Sequence, residues 1–178
     1  MSARVALLRG INVGGTGKLP MAALKAHMEA LGAGNVATYI QSGNAVFTGG
    51  DAEFAADLRA RIAAEEGFAP EVMVLSGAAL VAAYDGFPFP EALERPKFGN
   101  IWFCESAPDT PDLEALAAIA APSETFALEG ACFYLDAPEG IGRSKLAARV
   151  ERSLGVHATA RNLNTVAKLV EMVGAVES

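Results

Sequence analysis

The sequence predicts an α+β protein of two tandem ferredoxin-like (βαββαβ) lobes with an extra C-terminal helix. Three observations carry this. The first half alternates short apolar runs with stripes of helical period, in the order strand, helix, strand, strand, helix, strand. The second half repeats that order. Between them, Asp85-Gly86-Phe87-Pro88-Phe89-Pro90 through Pro96-Lys97-Phe98-Gly99 is too rich in proline for regular structure. The expected divisions are residues 1–84 for the first lobe, 85–99 for the connector and 100–178 for the second lobe. At 178 residues, 52% hydrophobic and 20% charged, the chain has the composition of a folded globular protein.

In the first half, Arg4 to Arg9 reads as a strand, and a glycine loop leads to Pro20, which suits the first turn of a helix. Met21, Leu24, Met28 and Leu31 form its stripe, and Gly32 or Gly34 ends it. Val36 to Ile40 and Ala45 to Thr48 flank Ser-Gly-Asn, a hairpin signal. Asp51 is placed to cap a helix carrying Phe54, Leu58 and Ile62, and Val72 to Leu75 closes the set.

In the second half, Ile101 to Cys104 is a strand and Thr110-Pro111 starts a helix bearing Leu113, Leu116 and Ala120. Glu124 to Leu128 and Cys132 to Leu135 make a hairpin around Glu129-Gly130. A helix from about Arg143 carries Leu146, Val150 and Leu154, and a short strand covers His157 to Ala160. The extra helix is expected to be capped by Asn164, to carry Val166, Leu169, Val170 and Val173, and to stop before Gly174. The connector aromatics Phe87, Phe89 and Phe98 are expected to pack between the lobes rather than line a ligand pocket.

Composition narrows function. A net charge of -7 disfavours a general nucleic-acid binder, because an acidic surface repels phosphates. The charge is uneven: residues 143–168 hold six cations and one anion, Glu151, a local +5 that leaves -12 on the remainder. That pattern suits a local anion site, or equally a solvated basic helix face. Neither a signal-peptide pattern nor an apolar stretch of membrane-spanning length is present, so a cytoplasmic protein without membrane partners is expected. Cys104 and Cys132 lie in apolar runs, and His27 and His157 stand apart, so neither a metal site nor a nucleophile-histidine pair is expected.

Topology then selects a site. In a split β-α-β unit the first two strands end at one rim, where the first helix begins. Arg9, Asn12, Gly14, Gly15 and Lys18 should therefore meet Gln41, Ser42 and Asn44 there, with helix N–H groups to favour an anion. In the second lobe the opposite rim gathers Gly140-Ile141-Gly142-Arg143-Ser144-Lys145 and Arg161-Asn162-Leu163-Asn164-Thr165. Arginine forks and lysine charges there suit carboxylate or phosphate.

Conformational readings stand beside these. The glycines serve left-handed turns, Ser-Gly-Asn a tight hairpin, Asn164 and Thr165 helix capping, and Arg161 a salt bridge. Neither phosphate-loop pattern fits, since Asn12 occupies the first glycine required before Gly17-Lys18 and also breaks Gly-x-Gly-x-x-Gly.

The segments Leu8-Arg9-Gly10-Ile11-Asn12-Val13-Gly14-Gly15, Lys18-Leu19-Pro20-Met21, Tyr39-Ile40-Gln41-Ser42-Gly43-Asn44, Gly140 to Leu146 and Ala160 to Val166 together resemble the uncharacterised bacterial domain-of-unknown-function family 1697. The resemblance implies a two-lobed α+β protein without an established activity, so it transfers no catalytic role. Thr16 stands where that pattern has Lys and Leu163 where it has Trp. These departures weaken a doubly basic first loop and an aromatic stacking platform in the last one.

The polar segments supply no evident base, nucleophile or metal ligand beyond weak candidates in Ser42 and Ser144, so catalytic residues stay unassigned. The expected function is binding of a small anionic ligand, phosphorylated or nucleotide-like, without a cofactor. A nucleic-acid-binding module and a protein-interaction module remain the alternatives. The sequence leaves open the oligomeric state and whether the two rims form one site or two.

Overall fold

A computed structural model describes residues 2–178. The described residues divide into two compact units, one of residues 2–82 with 168–178 and the other of residues 83–167.

In the first unit, strands β1 (Ala3–Arg9), β2 (Ala33–Tyr39), β3 (Asn44–Gly49) and β4 (Glu71–Ser76) form an antiparallel sheet in the order β2-β3-β1-β4. Helices α1 (Met21–Ala30) and α2 (Phe54–Glu66) complete the ferredoxin-like order. One core gathers Ala6 and Leu8 of β1, Ala45 and Phe47 of β3, Leu24 and Met28 of α1, and Phe54, Leu58 and Ile62 of α2. Burying each of the larger side chains contributes roughly 1.5–3 kcal/mol. The predicted stripes therefore face inward.

Local chemistry adjusts the ends. Pro20 is the residue before α1 rather than its first turn, and Gly32, at φ +87°, turns the chain out of that helix. Asp51 Oδ1 accepts from the Glu53 N–H at 3.0 Å, two residues on, so it forms a turn ahead of α2 instead of capping it. Ile40 belongs to the loop rather than to β2. It takes φ +52°, a costly left-handed conformation for a β-branched residue, and its side chain is exposed.

His27 ties α1 to α2. Arg61 Nε donates to its Nδ1 at 3.3 Å, so Nε2 carries the proton and faces Glu66 Oε1 at 2.9 Å. Helix α3 (Gly77–Asp85) follows β4 and was not expected from the sequence; Ser76 Oγ accepts from the Ala79 N–H at 3.0 Å and opens it.

The second unit repeats the strand order. Strands β5 (Gly99–Cys104), β6 (Thr125–Glu129), β7 (Cys132–Asp136) and β8 (Ala158–Asn162) form a sheet ordered β6-β7-β5-β8. Helices α4 (Leu113–Ile119) and α5 (Lys145–Leu154) pack on one face, where Trp102, Phe133, Leu135, Leu116, Leu146, Val150 and Leu154 form the core. The proline-rich connector is more ordered than expected. Pro90–Glu94 and Pro96–Phe98 are 3-10 turns, each started by a proline whose fixed φ suits that position. Phe87 meets Phe89 and Tyr134 edge-on, with ring centroids 5.7 and 5.5 Å apart.

Helix starts in this half also differ from expectation by a residue or two. Asp112 caps α4, with its Oδ1 accepting from the Ala115 N–H at 3.0 Å, and α5 begins at Lys145. The last helix, α6 (Leu163–Glu177), is opened by Asn162 rather than Asn164 and runs through Gly174, since one glycine costs a helix only about 1 kcal/mol.

Candidate functional site

The first rim is built mostly by its own hydrogen bonds. Asn12, at φ +51°, donates from Nδ2 to the carbonyls of Leu19 and Gln41, both at 2.8 Å, and accepts at Oδ1 from the Leu19 N–H at 2.8 Å. The amide thus joins the glycine loop to the β2–β3 turn, as the topology predicts. Both of its N–H donors are spent on the fold.

Between Asn12 and Lys18 the chain makes a miniature hairpin. The Val13 N–H donates to the Thr16 carbonyl at 3.2 Å and the Thr16 N–H donates to the Val13 carbonyl at 3.0 Å. Gly14 and Gly15, at φ +58° and +78°, fill the two turn positions that need left-handed backbone. Asn44 is fully buried, and its Nδ2 donates to the Tyr39 carbonyl at 3.1 Å and to Ser42 Oγ at 3.2 Å. Arg9, Lys18, Gln41 and Ser42 stay exposed, with Arg9 opposite Glu71 in the β1–β4 register.

The second rim contains a cavity of about 310 Å³, lined by Ile119, Ala121, Glu124, Glu139, Gly140, Arg143, Ser144 and Lys145. Its basic residues come from the turn at Ile141–Arg143 and the start of α5. Ser144 Oγ accepts from the Ala147 N–H at 3.0 Å, which makes it the helix cap. The remaining N–H groups of that first turn and the positive end of the helix dipole face the same region. The Arg143 and Lys145 side chains are exposed and make neither hydrogen bond nor ion pair among the described residues.

The opposite wall is acidic. Glu124 Oε1 accepts from the Ala121 N–H at 2.7 Å, and Glu139 Oε2 accepts from Ser123 Oγ at 2.9 Å. Each carboxylate keeps its second oxygen for another donor. Nothing in the sequence marks Glu124, which sits just before the unremarkable strand β6. Only the pairing of β6 with β7, with Thr125 opposite Asp136, carries it to this rim.

Arg161 does not join Arg143 and Lys145. The strands end together as expected, since Asp136 lies opposite Gly99 and Asn162 opposite Asn100. Strand alternation nevertheless decides the face: Arg161 pairs with Ile101, and Ile101 with Tyr134, on the side away from the α4–α5 core residues Trp102, Phe133 and Leu135. Its Nη1 donates to Thr159 Oγ1 at 2.7 Å and to the Ala160 carbonyl at 2.8 Å, and burial lowers its pKa to about 10. Asn162 Oδ1 is taken by the Thr165 N–H at 3.0 Å. Leu163 is a core residue with 1% exposure, so this position offers no stacking surface.

Other chemistry-bearing groups are held in unreactive forms. Burial, reinforced by Cys132, pushes the Cys104 thiol up to about 11, and burial also raises Cys132. Both are free thiols. The raised Tyr134 hydroxyl donates to the Ala83 carbonyl at 2.9 Å. A further cavity of about 350 Å³ has Glu105, Glu151 and His157 in its lining, but Glu151 Oε2 accepts from the Ala158 N–H. Among the described residues no group of three or more His, Cys, Asp or Glu side chains is arranged to hold a metal ion. No helix among them is long and apolar enough to cross a membrane.

Sheet order and rim geometry define the class: an α+β protein of two ferredoxin-like lobes whose second lobe carries a charged cavity at a helix start. The chain belongs to the family described as protein of unknown function (DUF1697), whose model matches residues 1–134. It is similar in structure to the conserved bacterial protein SP0830 from Streptococcus pneumoniae, at 25% identity and a TM-score of 0.70, over 97% of this chain and 98% of that one. No curated protein matches it.

Proposed function

We propose that the chain binds a small anionic ligand, phosphorylated or nucleotide-like, in the cavity at the start of α5. The observation that carries this reading is the pair Arg143 and Lys145, two cations without ion-pair partners among the described residues, in the wall of a cavity beside a helix N-terminus. The spare carboxylate oxygens of Glu124 and Glu139 refine it. Bare phosphate would be repelled by them, whereas a ligand with an anionic end and N–H donors elsewhere satisfies both walls.

Ser144 is spent as a cap, so the reading is one of binding and assigns no catalytic residue. The shared strand order of the two sheets supports an internal repeat, and the two free thiols suit a reducing cytoplasm.

The test is a thermal-shift and calorimetric screen of nucleotides, phosphorylated metabolites and inorganic phosphate. A ligand at 100 times its Kd stabilises the folded state by about 2.7 kcal/mol. Arg143→Ala with Lys145→Ala should abolish that shift and leave the ligand-free Tm unchanged. A shift retained in the variant, or a Tm lost along with it, overturns the reading.

A further inference from the structure

We propose that the outward face of α5 docks single-stranded nucleic acid through its phosphate backbone, without reading bases. Most cations of the chain are occupied. Lys25, Arg59, Arg95 and Lys168 pair with Glu29, Glu71, Asp136 and Glu171; Arg61 donates to His27; Arg4 donates to the carbonyls of Gly49 and Asp51; and Lys97 lies over the Phe98 ring. The side chains of Lys145, Arg149 and Arg152, like those of Lys18 and Arg143, are exposed and make no hydrogen bond or ion pair among the described residues, and only the three on α5 fall in one line. That contrast is unexpected in a chain with 21 acidic residues against 14 basic ones.

Helix geometry aligns the three. At about 100° per residue, positions 145, 149 and 152 fall within an arc of roughly 60°, and at 1.5 Å rise they form a line about 10 Å long. Leu146, Val150 and Leu154 occupy the opposite, buried side. Glu151, the one acid of the helix, is drawn to the β8 backbone, where its Oε2 accepts from the Ala158 N–H at 3.0 Å. The stripe is therefore cationic throughout.

The chemistry selects the occupant. Besides the cations, the exposed positions of α5 offer only the methyl of Ala148, so the aromatic or aliphatic anchor that concentrates protein–protein affinity is missing. A row of arginine and lysine heads suits regularly spaced phosphates. A single strand brings fewer charges per length than a duplex and meets less repulsion from the acidic remainder of the chain. At physiological salt that remainder is screened beyond about 8 Å, so the stripe governs contact.

This inference shares Lys145 with the cavity reading, but its test rests on Arg149 and Arg152, which that reading does not use, so the two fail separately. The experiment is fluorescence anisotropy of a labelled oligo-dT of about twelve nucleotides, with salt varied over roughly 50–300 mM. Three phosphate contacts predict a slope of log K against log salt of about -2. Arg149→Ala with Arg152→Ala should reduce that slope to about -0.7 and weaken binding at least roughly tenfold at the lowest salt, with the Tm unchanged. Arg143→Ala, which opens the cavity wall, should leave the slope near -2. Absence of binding at low salt, an unaltered slope in the double variant, or equal competition by an acidic peptide or a duplex of the same length overturns the proposal.

Discussion

Asn12 and Leu19 are locked together by one side-chain amide, whose Oδ1 accepts from the Leu19 N–H while its Nδ2 donates to the Leu19 carbonyl, each at 2.8 Å. The same Nδ2 reaches the Gln41 carbonyl at 2.8 Å. Asn12→Ala removes these bonds, strands the partly buried backbone groups of Leu19, and leaves a less tolerant residue at positive φ. A loss of about 2–4 kcal/mol in urea denaturation is expected. Asn12→Asp keeps the acceptor and loses the donors, so it should fall between the two. Unchanged stability in Asn12→Ala would mean that the amide serves a ligand rather than the fold.

Arg95 and Asp136 make a partly buried ion pair, with Nη2 to Oδ2 at 2.7 Å and the aspartate side chain 6% exposed. Arg95 Nε and Asp136 Oδ1 make no hydrogen bond among the described residues, so the pair is incompletely satisfied. Arg95→Ala strands a buried carboxylate and should cost about 3–5 kcal/mol. Replacing both partners, Arg95→Met with Asp136→Leu, should recover most of that loss in the same denaturation assay. Failure to recover would mean that the pair fixes the turns around Pro96 rather than merely neutralising itself.

The Cys104 thiol predicts an alkaline limit to stability. Its pKa rises from 9.0 to about 11 on folding, so between those values the unfolded chain has released a proton that the folded chain retains. The stability this thiol contributes is complete below pH 9 and is lost as pH rises toward 11. Tyr134, also raised, acts in the same direction. Arg161 acts oppositely: its lowered pKa returns stability above about pH 10. Cys104→Ala should flatten the fall in Tm between pH 9 and 11, a change on the order of 2 kcal/mol. An unchanged profile in that variant would assign the fall to other groups.

Helix stripes were legible because their period is local: Leu24 and Met28, Phe54, Leu58 and Ile62, and Leu146, Val150 and Leu154 all bury the predicted face. Helix α3 was missed because Ala78 to Ala83 are small or uniformly apolar and give no alternating pattern, although Ser76 marks its start. Helix beginnings slipped because Asp112 and Asn162 each compete with polar neighbours for the capping position. The acceptor that meets the third N–H of the helix wins that competition, and spacing alone does not identify it.

By itself the sequence determined the order of the eight strands and of every helix but α3, the inward faces of those helices and the joining of the glycine loop to the β2–β3 turn. Each follows from local periodicity, and strand connection rules extend it to the rims. Tertiary structure alone decided which polar groups are spent and which remain. Asn12 finds its partners 7 and 29 positions away, and Arg161 is turned from Arg143 by the register of β8 against β5. Hydrogen-bond saturation and strand facing depend on contacts distant in sequence, so the cavity between Glu124, Glu139, Arg143 and Lys145 emerges only when the second sheet closes.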